Sequence, residues 1–140
     1  MDYKDLNKNA ACAIILYKEN KVLLQLRDNN APTAKNKWSF FGGGIETNES
    51  PKEAVFRETK EELDYNLKNP MLVMVRDLQG HPNFNKEFIF LEEYDGSKLT
   101  LGEGADLKFY SKDQIKAIDM VENKRVLMPV IFNYIDFIKS

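Results

Sequence analysis

The sequence predicts one mixed α/β domain. Three observations lead there: short apolar runs of strand-like composition, segments with helical apolar spacing, and no linker, repeat or low-complexity stretch between them. The 140 residues suffice for one compact domain, taken as residues 1–140, and are too few for two ordinary ones. An apolar fraction of 43% with 30% charged residues belongs to a soluble, folded chain. Intrinsic disorder goes with fewer aromatics and a stronger charge imbalance.

Each element has its own signal. Residues 10–17 are apolar and rich in strand formers, and residues 21–27 alternate well enough for a second strand. Lys18, Glu19 and Asn20 between them read as a hairpin turn. In the second strand Val22, Leu24 and Leu26 share one face, and Leu23, Gln25 and Arg27 share the other. Residues 28–37 are polar, contain Pro32 and read as a loop. Residues 38–41 form a short aromatic strand expected to stop at Gly42, Gly43 and Gly44. Ser50 then supplies an N-cap and Pro51 a first helical position, so a helix is expected over 51–63. Two further strands, 71–77 and 87–93, flank a turn region of Gly80, His81, Pro82 and Asn83. Ser111 caps a short helix through about residue 118. A last helix begins near Pro129, which suits a first turn, and carries Val130, Ile131, Tyr134, Ile135 and Ile138 at helical spacing.

Composition removes several function classes. A net charge of -2 argues against a general nucleic-acid surface, though local arginines or a bound metal still accommodate an anionic substrate. Cys12 is the single cysteine, so the chain forms no internal disulfide and no cysteine metal site; within its apolar run it reads as a buried, inert thiol. His81 is the single histidine, which leaves Ser-His or Cys-His catalysis resting on one loop residue. The polar N-terminus lacks a signal-peptide core, and no stretch approaches the roughly 20 apolar residues of a membrane span. A cytoplasmic protein, monomer or homodimer, is the expectation.

The chemistry concentrates in the segment from Gly42 to Tyr65. At about 100° per residue, Val55, Phe56, Thr59 and Leu63 occupy the helix side that packs on the sheet. Glu58, Glu61 and Glu62 lie together on the adjoining side. Like charges at these spacings oppose the helix by roughly 0.2–0.5 kcal/mol per pair, and they lie toward the end of the helix where its dipole disfavours anions. An acidic run is ordinarily just a solvated face. It is also what Mg²⁺ requires, since magnesium takes carboxylates, waters and substrate phosphates.

Gly43, Glu49, Arg57, Glu58, Glu61 and Glu62 stand in the register of the Nudix box, G-x(5)-E-x(7)-R-E-U-x-E-E-x-G-U with U aliphatic, and the segment resembles it closely. Thr59 stands at an aliphatic position, Asp64 at the glycine that ends the helix, and Tyr65 at the last aliphatic position. Trp38 to Phe41 resemble the family's preceding strand, with Phe41 where proline is common. Leu101-Gly102-Glu103-Gly104, then Phe109-Tyr110-Ser111 and a helix, resemble a downstream segment that supplies an extra carboxylate.

The resemblance implies an α/β/α sandwich around a mixed β-sheet and metal-dependent hydrolysis of a phosphoanhydride in a nucleoside diphosphate linked to a group X. It further implies Mg²⁺ or Mn²⁺ held by Glu58 and Glu62, with Glu61 assisting and the Gly42 carbonyl adding a ligand. Arg57 orients the glutamates, with Glu49 as its partner; a plain surface pair with Glu61 is the alternative. The general base stays open among Glu58, Glu61 and Glu103, with Glu92 and Glu93 as rivals to Glu103. Arg27 is a candidate phosphate contact or an ordinary exposed arginine. Trp38, Phe40 and Phe41 read as core before base-stacking residues. A nucleoside triphosphate pyrophosphatase of the oxidised-nucleotide type comes first. ADP-ribose and nucleotide-sugar hydrolases come next, with Pro82 a weak pointer to the former. A non-catalytic nucleotide-binding module is the rival from another class.

Overall fold

The structure, a computed structural model, describes residues 9–31, 35–102 and 104–139. Seven strands form one mixed sheet. β1 (Ala10–Lys18) and β2 (Lys21–Leu26) make the expected hairpin, with Glu19 taking a positive φ of 56° in the tight turn. β1 lies in the sheet interior and is buried from Ala10 to Tyr17, which is why its sequence is apolar throughout and does not alternate. It pairs in parallel with β6 (Lys86–Glu93), and β6 carries β5 (Met71–Asp77) antiparallel at the sheet edge.

On its other side β1 divides its partners. Tyr17 and Lys18 pair with β2, whereas Ala11 to Ile14 pair with β4 (Phe41–Gly44). β2 turns away to pair with β3 (Trp38–Ser39) and β7 (Asp106–Ser111). The sheet therefore splits between β1 and β2, and residues at the ends of β2 and β4 line the cavity beside Glu62 described below.

Both faces are covered. α1 (Pro51–Leu63) packs Ala54, Val55 and Leu63 against Cys12, Ile14 and Phe88. On the opposite face α2 (Lys112–Ile115) and α4 (Met128–Lys139) bring Ile115, Ile131 and Ile135 against Ala13, Ile15 and Ile89; the short α3 (Glu122–Arg125) lies between them in sequence. The result is the α/β/α sandwich expected from the sequence. No helix among the described residues is long and apolar enough to cross a membrane.

Local chemistry fixes α1. Ser50 Oγ accepts the Glu53 N–H at 3.0 Å while the Glu53 carboxylate accepts the Ser50 N–H at 2.9 Å, a reciprocal cap. At the far end Asp64 adopts the left-handed conformation, φ 52°, that the family pattern gives to glycine. Lys60 supports it with an ion pair at 2.8 Å. Thr59 is wholly buried, and its hydroxyl donates to the Val55 carbonyl at 2.7 Å, so the departure from an aliphatic residue leaves that group satisfied.

Four features depart from the sequence expectations or add to them. The aromatic strand does not stop at the glycines: it breaks at Phe40, and Gly42, Gly43 and Gly44 are themselves strand, held by pairing to β1. The segment after residue 104 contains β7, whose pairing along β2 supplies the order that its short alternation did not announce. α3 was not anticipated, having no buried residue to give it periodicity. The last helix starts at Met128 and buries Met128, Ile131, Phe132 and Ile135, whereas Val130 and Ile138 are exposed.

Candidate active site

α1 directs Glu58 and Glu62, one turn apart, toward the glycine strand. A Cβ at Gly43 would lie 2.7 Å from Glu58 Oε1 and 2.9 Å from Oε2, so the missing side chain is the space the carboxylate fills. The Gly42 N–H points at both oxygens of Glu62, each at 3.4 Å. A Cβ at Gly42, where φ is 145°, would meet the Cys12 carbonyl oxygen at 2.0 Å. Both glycines are thus required, one by the carboxylate and the other by the sheet.

Glu62 is the electrostatically strained member. Burial, the neighbouring Glu58 charge and a hydrogen bond with Glu58 push its pKa up to about 8, against weaker help from the Gly42 N–H and the Arg27 charge. Two half-buried carboxylates have been brought together, and Arg57 reaches the Glu58 member of the pair.

Arg57 locks the other side. Its Nε and Nη2 grip Glu49 at 2.8 and 2.9 Å, Nη2 also donates to the Gly44 carbonyl at 3.0 Å, and Nη1 donates to Glu58 at 2.9 Å. The fork ties the helix, the preceding loop and the glycine strand into one unit. The Glu49 bond holds that carboxyl below its usual range, and the same pairing raises the Arg57 pKa. Glu61 stands apart: its side chain is 60% exposed and reaches Arg57 at only 3.5 Å.

Beside Glu62 opens a cavity of about 510 Å³ lined by Gln25, Arg27, Phe40 and Gly42, with Gly102 and Gly104 on its wall. Arg27 therefore shares a cavity with Glu62. Glu103 lies outside the described residues, as does Pro32; the chain leading to Glu103 is pinned where the Gly102 N–H meets the Glu62 carbonyl at 2.8 Å. Glu92 has other duties. It is buried and accepts the backbone N–H groups of Lys68 at 3.0 Å and Asn69 at 2.7 Å, whereas Glu93 is exposed. His81 lies in the 77–86 depression, also about 510 Å³, which shares no lining residue with the Glu62 cavity; its Nδ1 accepts two loop N–H groups at 3.1 Å. Cys12 is buried, and burial pushes its thiol pKa up to about 12. Trp38 packs edge-on to Tyr110 at 4.9 Å, and Phe41 is in the core; Phe40 is core and cavity wall at once.

Sequence reasoning missed one cluster. Glu87, 3% exposed, receives Arg76 Nε at 2.8 Å and Lys124 Nζ at 2.6 Å. Burial lowers the Lys124 pKa against the pull of Glu87. Arg76 and Glu87 are cross-strand neighbours in β5 and β6, a juxtaposition that needs the register and is not carried by spacing along the chain.

Among the described residues no three acidic, histidine or cysteine side chains converge as a ready cation cage. The donor set nevertheless fits magnesium or manganese, ions that use one or two carboxylates and complete their shell with water and phosphate. Half-buried Glu62, its pKa raised by burial and by the Glu58 charge, is the observation that makes this fit.

The model of the NUDIX domain family matches residues 6–131. The chain belongs to the Nudix family. A Bacillus subtilis (strain 168) relative named "Putative ADP-ribose pyrophosphatase YjhB" is 27% identical over 126 residues, which are 86% of this chain and 58% of that protein. The chain thus spans 58% of the length of that curated relative. A Nudix-family hydrolase from Clostridium perfringens has a crystal structure similar at a TM-score of 0.72 with 25% identity, covering 92% of this chain and 99% of that one. A bifunctional NMN adenylyltransferase/ADP ribose pyrophosphatase from Francisella tularensis, crystallised with AMP and a Mn ion, shares the fold at a TM-score of 0.73 and 20% identity, over 89% of this chain and 41% of that one. The glycine strand, Arg57 and the paired glutamates are this chain's Nudix box in three dimensions.

Proposed function

We propose that this Nudix protein hydrolyses a phosphoanhydride bond in a nucleoside diphosphate linked to X, with a nucleoside triphosphate as first substrate class. ADP-ribose, the substrate named for the B. subtilis relative, is the second. The carrying observation is the half-buried Glu58–Glu62 pair, in which burial and the Glu58 charge raise the Glu62 pKa, beside a cavity of about 510 Å³ that Glu62 and Arg27 both line. Mg²⁺ or Mn²⁺ on these two carboxylates supplies charge for phosphate oxygens and a more acidic bound water. The ion crystallised with the F. tularensis protein is Mn.

The chain's own residues do the rest. Arg57 fixes the Glu58 carboxylate and keeps it from swinging to solvent. Arg27 binds phosphate oxygens from the opposite cavity wall. The Gly42 carbonyl would add a ligand to the ion, and Glu61, exposed beside Arg57, would assist. Glu103 provides the additional carboxylate that accepts a proton from the attacking water. Support for Glu103 is that its described neighbours Gly102 and Gly104 both line the cavity and that its rival Glu92 is already bonded to two amides. The test is turnover of a nucleotide panel with Mg²⁺, Mn²⁺ or chelator, with products identified. Metal-dependent release of a nucleotide supports the reading; binding without cleavage of any substrate favours a non-catalytic module.

A further inference from the structure

A second, smaller cavity of about 160 Å³ joins the first: Arg27, Phe40 and Gly42 line both. Its volume is below the ~300–1,000 Å³ of a site for a drug-sized ligand and suits a single ring system. Phe40, His81 and Phe84 give it aromatic walls. Phe84 lies against β4 because Gly44 has no side chain: a Cβ there would sit 3.3 Å from the ring. Its polar residues include Ser39, Arg27 and the pair of buried Glu87 and largely covered Lys124.

The pair is asymmetric. Arg76 takes one Glu87 oxygen through Nε at 2.8 Å and Nη2 at 2.7 Å, and Lys124 takes the other at 2.6 Å. Each Glu87 oxygen is thus held by a cation. An ammonium has three N–H donors, and Glu87 uses one. Lys124 Nζ also stands 5.7 Å from the Phe40 ring centroid, beside the wall on which a ring would stack. What the cavity offers a ring edge is therefore a buried cationic donor.

We propose that this cavity receives the nucleobase and that Lys124 selects rings presenting a carbonyl oxygen, 6-oxopurines over 6-aminopurines. The inference rests on the nucleotide reading above and adds the base. A carbonyl accepts a charge-assisted hydrogen bond from Lys124. An exocyclic amine is itself a donor and would leave two buried donors facing each other without acceptors. The ring stacks on Phe40 and the diphosphate runs past Arg27 toward Glu62.

The test compares inosine triphosphate with ATP, which differ in the 6-substituent and the adjacent N1 proton and carry the same phosphates. With Mg²⁺ the wild type is expected to favour inosine triphosphate in kcat/KM by about tenfold or more, since sites built to bond a substrate group reject analogues lacking the match. In Lys124→Met the ratio is expected to collapse to within about threefold, whatever happens to absolute rates; a purely structural Lys124 would lower both substrates together. Binding of inosine and adenosine to wild-type protein by calorimetry reads the same preference independently of whether the variant folds. Equal or inverted preference in the wild type, or an unchanged ratio in Lys124→Met, overturns the proposal. Tighter inosine binding with no turnover of any nucleotide would leave it standing while sinking the hydrolase reading.

Discussion

Glu61 and Glu62 are adjacent on one helix and live in different electrostatic worlds. The 100° step between them turns one to solvent and the other under the glycine strand, where burial and Glu58 raise its pKa to about 8. Glu62→Gln removes the ionisable carboxyl at constant size. Turnover is expected to fall by orders of magnitude while the metal-free melting temperature holds or rises; activity within about threefold of wild type would remove Glu62 from the site. Arg57→Met takes out the fork that binds Glu49, Gly44 and Glu58, and chemical denaturation should show a loss of ~1.5–3 kcal/mol, the scale of hydrogen bonds to charged groups. Glu103→Gln is expected to lower kcat by roughly 10²–10⁴-fold. Glu92→Gln should instead weaken the fold, because its carboxylate holds the Lys68 and Asn69 amides.

At the scale of elements, the two neighbouring glycines of β4 make opposite predictions. Gly42→Ala puts a Cβ 2.0 Å from a backbone oxygen of β1 at a φ of 145°, so the strand pairing must give way and soluble folded protein should be lost. Gly43→Ala meets only the movable end of Glu58 at 2.7 Å, so the protein should fold, melt near wild type and lose turnover by displacing that carboxylate. Circular dichroism and activity on the two variants separate the roles. The same elements show what a sequence carries. α1 was legible to the residue because cap, proline, apolar spacing and final turn all lie within it. The glycine strand was not, since glycine carries no strand signal and the order comes from β1. Nor did helical spacing distinguish the inward Glu58 and Glu62 from the outward Glu61: that depends on where β4 crosses α1. The Arg76–Glu87–Lys124 cluster needed three elements brought together.

For the whole molecule, the fold places Glu62 in the lining of a cavity, beside Glu58, and makes stability respond to protons and metal. Glu62 keeps its proton in the fold to about pH 8 but releases it near its ordinary value of about 4.5 when unfolded. Between those values the native state binds more protons, so metal-free stability should fall as pH rises across this window. Urea midpoints from pH 5 to 8 check the slope for the wild type, and Glu62→Gln should flatten it. A divalent ion replaces the missing charge: at a hundred times its Kd it should add about 2.7 kcal/mol and cancel most of the slope. The most direct measurement is a Mn²⁺ binding titration followed by electron paramagnetic resonance, on wild type and Glu62→Gln at pH 7.5. The account predicts saturable binding by the wild type, weakened at least tenfold, about 1.4 kcal/mol, by the substitution. Equal affinity in the two proteins, or no binding at millimolar Mn²⁺, would contradict it.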